Sequence, residues 1–139
     1  MLSDQEVVQL AYQIAEQAHK GQFRRDGITP YFEHPKAVAS KFTHPMIQAA
    51  ALLHDVVEDT PITLDDLRKQ GIPPVVLEAV DLLTRRPSQT YLEYILTVKH
   101  CPIAGAVKVE DILHNLQGVQ TGTKRDKYEL AIYIIKHGI

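Results

Sequence analysis

Cysteine is nearly absent from this chain. The single residue, Cys101, cannot close an intramolecular disulfide and leaves no basis for a thiolate metal cage. It stands between His100 and Pro102 with nothing nearby to activate it, and reads as a structural thiol. Long apolar runs are missing too: none approaches the roughly 18 residues that a membrane span needs. The first residues, Met1-Leu2-Ser3-Asp4-Gln5-Glu6, show no basic stretch followed by an apolar one. No signal peptide is therefore expected, and a reducing, cytoplasmic location is the default. An excess of positive charge is also lacking. The net charge of −2 supplies no global cationic field, so neither nucleic acid nor an anionic membrane is an expected partner, although local basic clusters stay open.

Internal repeats, low-complexity tracts and Gly/Ser linkers are absent, so residues 1–139 are expected to form one domain. Sustained apolar/polar alternation with hairpin turns is absent as well, which argues against a sheet. What remains is helical. Ser3 and Glu6 have capping-box spacing, and Val7, Leu10, Ala11, Ile14, Ala15 and Ala18 follow as one stripe. Gly21 is a plausible stop, and residues 22–33 carry the chemistry of a loop. A short helix is expected from His34-Pro35, carrying Ala37, Val38 and Phe42. Another is expected to open at Pro45 and run on to Val57. Its stretch Ala49-Ala50-Ala51-Leu52-Leu53 is apolar almost all round, as in a central helix. Further helices are expected after Thr63, from Pro73 or Pro74, over 90–100, from Pro102 through Leu116, and over about 124–137. The fold class is all-α, a compact bundle of about seven or eight helices.

The central helix ends its apolar run with His54, Asp55, Glu58 and Asp59. An unpaired buried carboxylate is costly, and four ionisable groups beside an Ala/Leu core need partners. Two readings stand. A divalent cation would be the strongest partner; a solvated acidic helix end is the other, though the helix dipole disfavours acids there. On a continuous helix, adjacent His54 and Asp55 would differ by about 100° and could both reach one metal, with Glu58 and Asp59 one turn further along. His34, at the junction of loop and helix, is either a further ligand or a capping or core histidine. Asp111 and Asn115 lie four apart on a helix whose other residues look like core, and they too need partners. Together His34, His54, Asp55 and Asp111 would give two nitrogen and two oxygen ligands, a set suited to Mn²⁺, Fe²⁺ or Zn²⁺ more than Ca²⁺. A metal so held would polarise a phosphoryl oxygen and acidify water.

The order His34, His54-Asp55, Asp111 resembles the HD phosphohydrolase superfamily. The strings Ala18-His19-Lys20-Gly21-Gln22, Arg24-Arg25-Asp26-Gly27, Pro30-Tyr31-Phe32-Glu33-His34-Pro35, Ala51 to Thr60, Leu83-Thr84-Arg85 and Lys108 to Leu116 resemble the hydrolase domain of RelA/SpoT proteins, in particular its stand-alone Mesh-type form. That resemblance, running from about Ala11 to Tyr133, implies an HD-domain helical bundle and a cofactor, usually Mn²⁺, on His34, His54, Asp55 and Asp111. It implies that Glu58 and Asp59 orient or deprotonate the attacking water. It further implies that Arg24 packs on a guanine base, that Arg25 lies near the phosphates, and that Asn115 contacts the sugar. Lys124 and Tyr128 match, more loosely, a pair near the phosphates. The implied reaction is hydrolysis of the 3′-diphosphate of the guanosine alarmones ppGpp and pppGpp, releasing pyrophosphate and GDP or GTP.

Three positions depart from the family pattern: an extra residue at Ile28-Thr29, Glu110 beside Asp111, and Ile112. The alternatives are an HD hydrolase acting on another nucleotide, either a phosphomonoester or a nicotinamide dinucleotide phosphate, and a non-catalytic nucleotide-sensing module. His114 falls off the face shared by Asp111 and Asn115, and is expected to support the site rather than ligate a metal.

Overall fold

A computed structural model describes residues 1–119 and 121–138. Among them nine helices follow in order: α1 (Asp4–Ala18), α2 (Glu33–Ala39), α3 (Pro45–Leu53), α4 (Val56–Asp59), α5 (Leu64–Gln70), α6 (Pro74–Leu83), α7 (Tyr91–Lys99), α8 (Pro102–Asn115) and α9 (Thr123–His137). The extended pairing among the described residues is one isolated antiparallel bridge, Phe23 with Pro30. No described helix is long and apolar enough to cross a membrane.

Local chemistry sets most of the boundaries. Reciprocal capping boxes start α1 (Ser3 with Glu6), α5 (Thr63 with Asp66) and α7 (Thr90 with Glu93). Proline occupies the first turn of α3, α6 and α8, where its missing N–H costs nothing. Gly71 closes α5 with φ 107°, a left-handed conformation that side chains resist. Phe42 lies past the end of α2, which stops at Ala39.

Helix α3 is the axle of the bundle, packed by α1, α2, α6 and α8. Ala49, Ala50, Ala51 and Leu53 are wholly buried, and the small alanines let four helices approach at once. The sequence suggests that this helix continues to Val57. It stops at Leu53, and α4 begins separately at Val56. The His54 ring supplies the reason. Its Nδ1 donates to the Ala51 carbonyl at 2.5 Å and the His54 amide to the same oxygen at 3.4 Å, which together take the acceptor that a continuous helix would offer to the Asp55 amide. Breaking one expected helix into two takes the number to nine.

The loop between α1 and α2 is folded around Asp26. Its carboxylate accepts from the amides of Ile28 (2.9 Å) and Thr29 (2.8 Å) and from the Thr29 hydroxyl (2.5 Å). Gly27, at φ 71°, allows the turn, and the Arg24 amide donates to the Thr29 carbonyl at 2.8 Å. Ile28 and Thr29 are thus part of the turn that carries the two arginines.

Two outcomes follow from this packing. Leu53→Ala should lower unfolding free energy by about 2–5 kcal/mol in urea titrations, since the surrounding helices cannot collapse onto the void. The bonds from Thr29 and Ile28 hold the Asp26 pKa down to about 2. A depressed carboxyl stabilises the fold above its ordinary range, and that contribution is lost as pH falls through about 2. Carboxyl NMR should show that midpoint, and Asp26→Asn should flatten this part of the stability profile; a midpoint near 4 would contradict the loop geometry.

Candidate metal centre and adjoining pocket

The four residues singled out as ligands come from three places in the chain and meet in the interior. His34 sits in the first turn of α2, His54 caps α3, Asp55 precedes α4, and Asp111 lies in the last turns of α8. His34, His54 and Asp111 are buried, each offering an atom within 4.8 Å of the others. The His34 Nε2 lies 2.7 Å from Asp111 Oδ1 and 4.0 Å from Asp55 Oδ2.

His54 shows what this cluster requires. Because the Ala51 carbonyl can only accept, Nδ1 must carry the proton that it donates. In the neutral ring, Nε2 is therefore a bare lone pair, buried and without a hydrogen-bond partner. It faces Asp55 Oδ2 at 3.0 Å and Asp111 Oδ1 at 3.4 Å, both acceptors. Three acceptors converging in a buried space need a cation among them, either a proton or a metal. Burial opposes charge on His54 most strongly, yet Asp55 and Asp111 hold its pKa well above the ordinary value. Imidazole nitrogens and carboxylate oxygens in this number fit a divalent transition metal.

Three neighbours, none of them among the proposed ligands, set the orientation of the cluster. Lys108, one turn before Asp111, places Nζ 2.8 Å from Asp111 Oδ2, while Oδ1 faces the histidines and Asn115. Burial disfavours the carboxylate, but Lys108 and the two histidines hold Asp111 well below the usual range. The Tyr31 hydroxyl donates to Asp55 Oδ2 at 2.6 Å. His114 brings Nδ1 to 2.6 Å from His34 Nδ1, the nitrogen remote from the cluster. The i,i+3 spacing of Lys108 and Asp111 was a readable signal for the first of these. Nothing local announced that a loop tyrosine would reach Asp55.

Glu58 and Asp59 stand three and four residues past Asp55, on the same face of one helical turn. Their carboxylates come within 4.8 Å of that of Asp55. Glu58 Oε1 accepts from the Arg85 amide at 2.8 Å, so its orientation is fixed by the end of α6. Asp59 has its pKa pushed up to about 6, by burial first and then by the Asp55 and Glu58 charges.

Beside this acidic group is a small pocket lined by Phe23, Arg24, Arg25, Tyr31, Asn115, Lys124 and Tyr128. It gathers all five residues assigned to substrate by resemblance. Arg24 Nη2 donates to Asn115 Oδ1 at 3.2 Å, and Asn115 Nδ2 donates to Asp111 Oδ1 at 3.2 Å. The Arg24 guanidinium lies 6.0 Å from the Tyr31 ring centre, and Lys124 5.7 Å from that of Tyr128. A cationic and aromatic wall thus stands against an acidic, cation-seeking cluster. This arrangement can take a planar group and phosphates on one side and polarise a P–O bond on the other.

No protein-family model matches the chain. A GTP pyrophosphokinase of Streptomyces coelicolor is 34% identical over 135 residues, 88% of this chain but 16% of that protein. The chain thus spans about a sixth of the length of such large relatives. A guanosine-3′,5′-bis(diphosphate) 3′-pyrophosphohydrolase named MESH1, from Xenopus tropicalis, is 33% identical over 134 residues, covering 88% of this chain and 75% of that one. A solved structure described as a metazoan ortholog of SpoT that hydrolyzes ppGpp superposes with a TM-score of 0.77 at 27% identity, over 95% of this chain and 86% of that one. By sequence across most of a stand-alone relative, and by fold, the chain belongs to the Mesh-type branch of the RelA/SpoT family of HD-domain hydrolases.

Proposed function

We propose that this chain, acting as one hydrolase domain over residues 1–139, cleaves the 3′-diphosphate of ppGpp or pppGpp to pyrophosphate and GDP or GTP. The observation that carries the reading is the adjacency of three parts. These are a buried cluster that requires a cation, an acidic pair pressed against it, and an arginine-tyrosine pocket joined to it through Asn115. The names of the MESH1 and SpoT relatives agree with that chemistry.

His34, His54, Asp55 and Asp111 are the residues that would hold the cation, and Mn²⁺ suits their mixed nitrogen and oxygen donors. A divalent cation bound there supplies polarisation of the phosphoryl oxygen and a more acidic water. The protein does the rest. Asn115 Nδ2 and Lys108 fix the two oxygens of Asp111, and Tyr31 fixes one oxygen of Asp55. Glu58, held by the Arg85 amide, and Asp59 take the proton of a water attacking phosphorus. Arg24 stacks its guanidinium on the guanine, where a lysine could not. Arg25, Lys124 and Tyr128 meet the phosphates, and Asn115 the ribose. The partner is then a small guanine nucleotide, and the cytoplasm is the proposed location.

Mn²⁺-loaded protein incubated with ppGpp, NADPH and nucleoside monophosphates, with pyrophosphate and phosphate followed separately, decides the substrate. Pyrophosphate from ppGpp is expected; phosphate from NADPH or a monoester with ppGpp untouched would overturn the assignment. Asp55→Ala should lose both bound Mn²⁺ and turnover. Glu58→Ala should keep the metal and lose rate by about 10²- to 10⁴-fold, the usual loss for a proton-transfer group. Equal metal loss in the two variants would refute this division of roles.

A further inference from the structure

We propose that His19 and Gln22 are positioning residues that clamp the single-turn helix α4, and with it the acidic pair, from outside. The proposal rests on the roles given above to Glu58 and Asp59. Helix α4 has four residues, and its leading residue, Asp55, makes no side-chain cap. One turn cannot hold itself, because nucleation fixes several residues for a single backbone bond. Its geometry must be imposed by neighbours.

Gln22 reaches both ends of it. Its Nε2 donates to the carbonyl of Asp59, the last residue of α4, at 3.1 Å. Its backbone carbonyl accepts from the Tyr31 amide at 2.8 Å, and the Tyr31 hydroxyl in turn donates to Asp55 at the start of α4. A single loop residue thus ties the end of α1 to both termini of the turn. His19 fixes the side chain of that residue. Since Nε2 of Gln22 is committed to a carbonyl, Oε1 is the atom facing His19 Nδ1 at 2.8 Å, and Nδ1 must be the donor. This pins the Gln22 amide in one orientation. The imidazole is 1% exposed and packs against Tyr31, with ring centres 4.9 Å apart. Its Nε2 is buried and unpartnered, and burial lowers the ring's pKa, which favours the neutral form.

Four substitutions separate the possibilities. Gln22→Leu removes both side-chain bonds. Gln22→Glu keeps an acceptor for His19 and turns an oxygen on the Asp59 carbonyl. His19→Asn keeps a donor close to the position of Nδ1; His19→Leu has none. In Gln22→Leu, Gln22→Glu and His19→Leu, kcat on ppGpp should fall about ten- to hundredfold, as for a displaced reacting group. KM and Mn²⁺ affinity should stay within about threefold, and His19→Asn within about threefold of wild type in every parameter. The amides of Asp59 and Thr60, which close α4 onto Asp55 and Val56, should exchange with solvent about tenfold faster in the disrupted variants. Exchange needs no turnover, so it decides the clamp even if the wild type leaves ppGpp untouched, a result that would sink the catalytic reading alone. Gln22 is half-buried in a loop, and its variants carry the test if His19→Leu does not fold. Unchanged exchange at Asp59 and Thr60 in Gln22→Leu would overturn the clamp. So would His19→Asn damage as deep as that of His19→Leu, or metal affinity falling in step with rate.

Discussion

Two imidazoles and two carboxylates meet where α2, α8 and the α3–α4 junction converge, and the surrounding helices are arranged to tolerate them. Ionised groups in such a place cost several kcal/mol each unless paired, on the order of a small domain's whole stability. The pairing is close to complete. Lys108 and Asn115 take the oxygens of Asp111, Tyr31 takes one of Asp55, His114 faces the outer nitrogen of His34, and Ala51 takes that of His54. The bond from His54 Nδ1 to Ala51 leaves its Nε2 lone pair toward Asp55 and Asp111. The neighbours fix the orientation of the four groups, and the acceptors that converge between them call for a cation.

That arrangement also explains why the central helix is broken. A continuous helix from Pro45 to Val57 would bring the Asp55 amide to the Ala51 carbonyl as a further donor, in competition with His54 Nδ1. Ending the helix at Leu53 gives the carbonyl to the imidazole and fixes the tautomer. Asp55 then leads the separate turn α4, whose spacing gathers Asp55, Glu58 and Asp59 in one group. Loss of one backbone bond is exchanged for a positioned ring.

The fold was readable from residues because its signals are local: capping boxes at Ser3, Thr63 and Thr90, prolines at 45, 74 and 102, and an alanine-rich axle. The helix break was not readable. It depends on a competition between a side chain and the backbone for one carbonyl, which spacing does not register. The clustered residues were readable as misplaced polarity, since His54, Asp55 and Asp111 interrupt apolar stretches. Tyr31, Gln22 and His19 were not, because loop residues carry no periodicity and their partners stand far along the chain. Lys108 lies between; its spacing from Asp111 is a helix-face signal, but a lysine three residues from an aspartate is ordinary on any exposed helix.

Asn115 is where recognition and chemistry become one problem. Its amide has no freedom of assignment: Nδ2 must face the Asp111 carboxylate, so Oδ1 must face Arg24. Arg24 also lies beside Tyr31, which is bonded to Asp55. The arginine proposed to stack on the base is thus joined by two short paths to both carboxylates of the cluster. Under the proposed function, a base settling on Arg24 would act on groups that orient Asp55 and Asp111, so binding at the far end of the substrate would bear on the geometry at phosphorus. Such coupling is what allows binding energy from a non-reacting part of a substrate to appear as rate rather than as affinity.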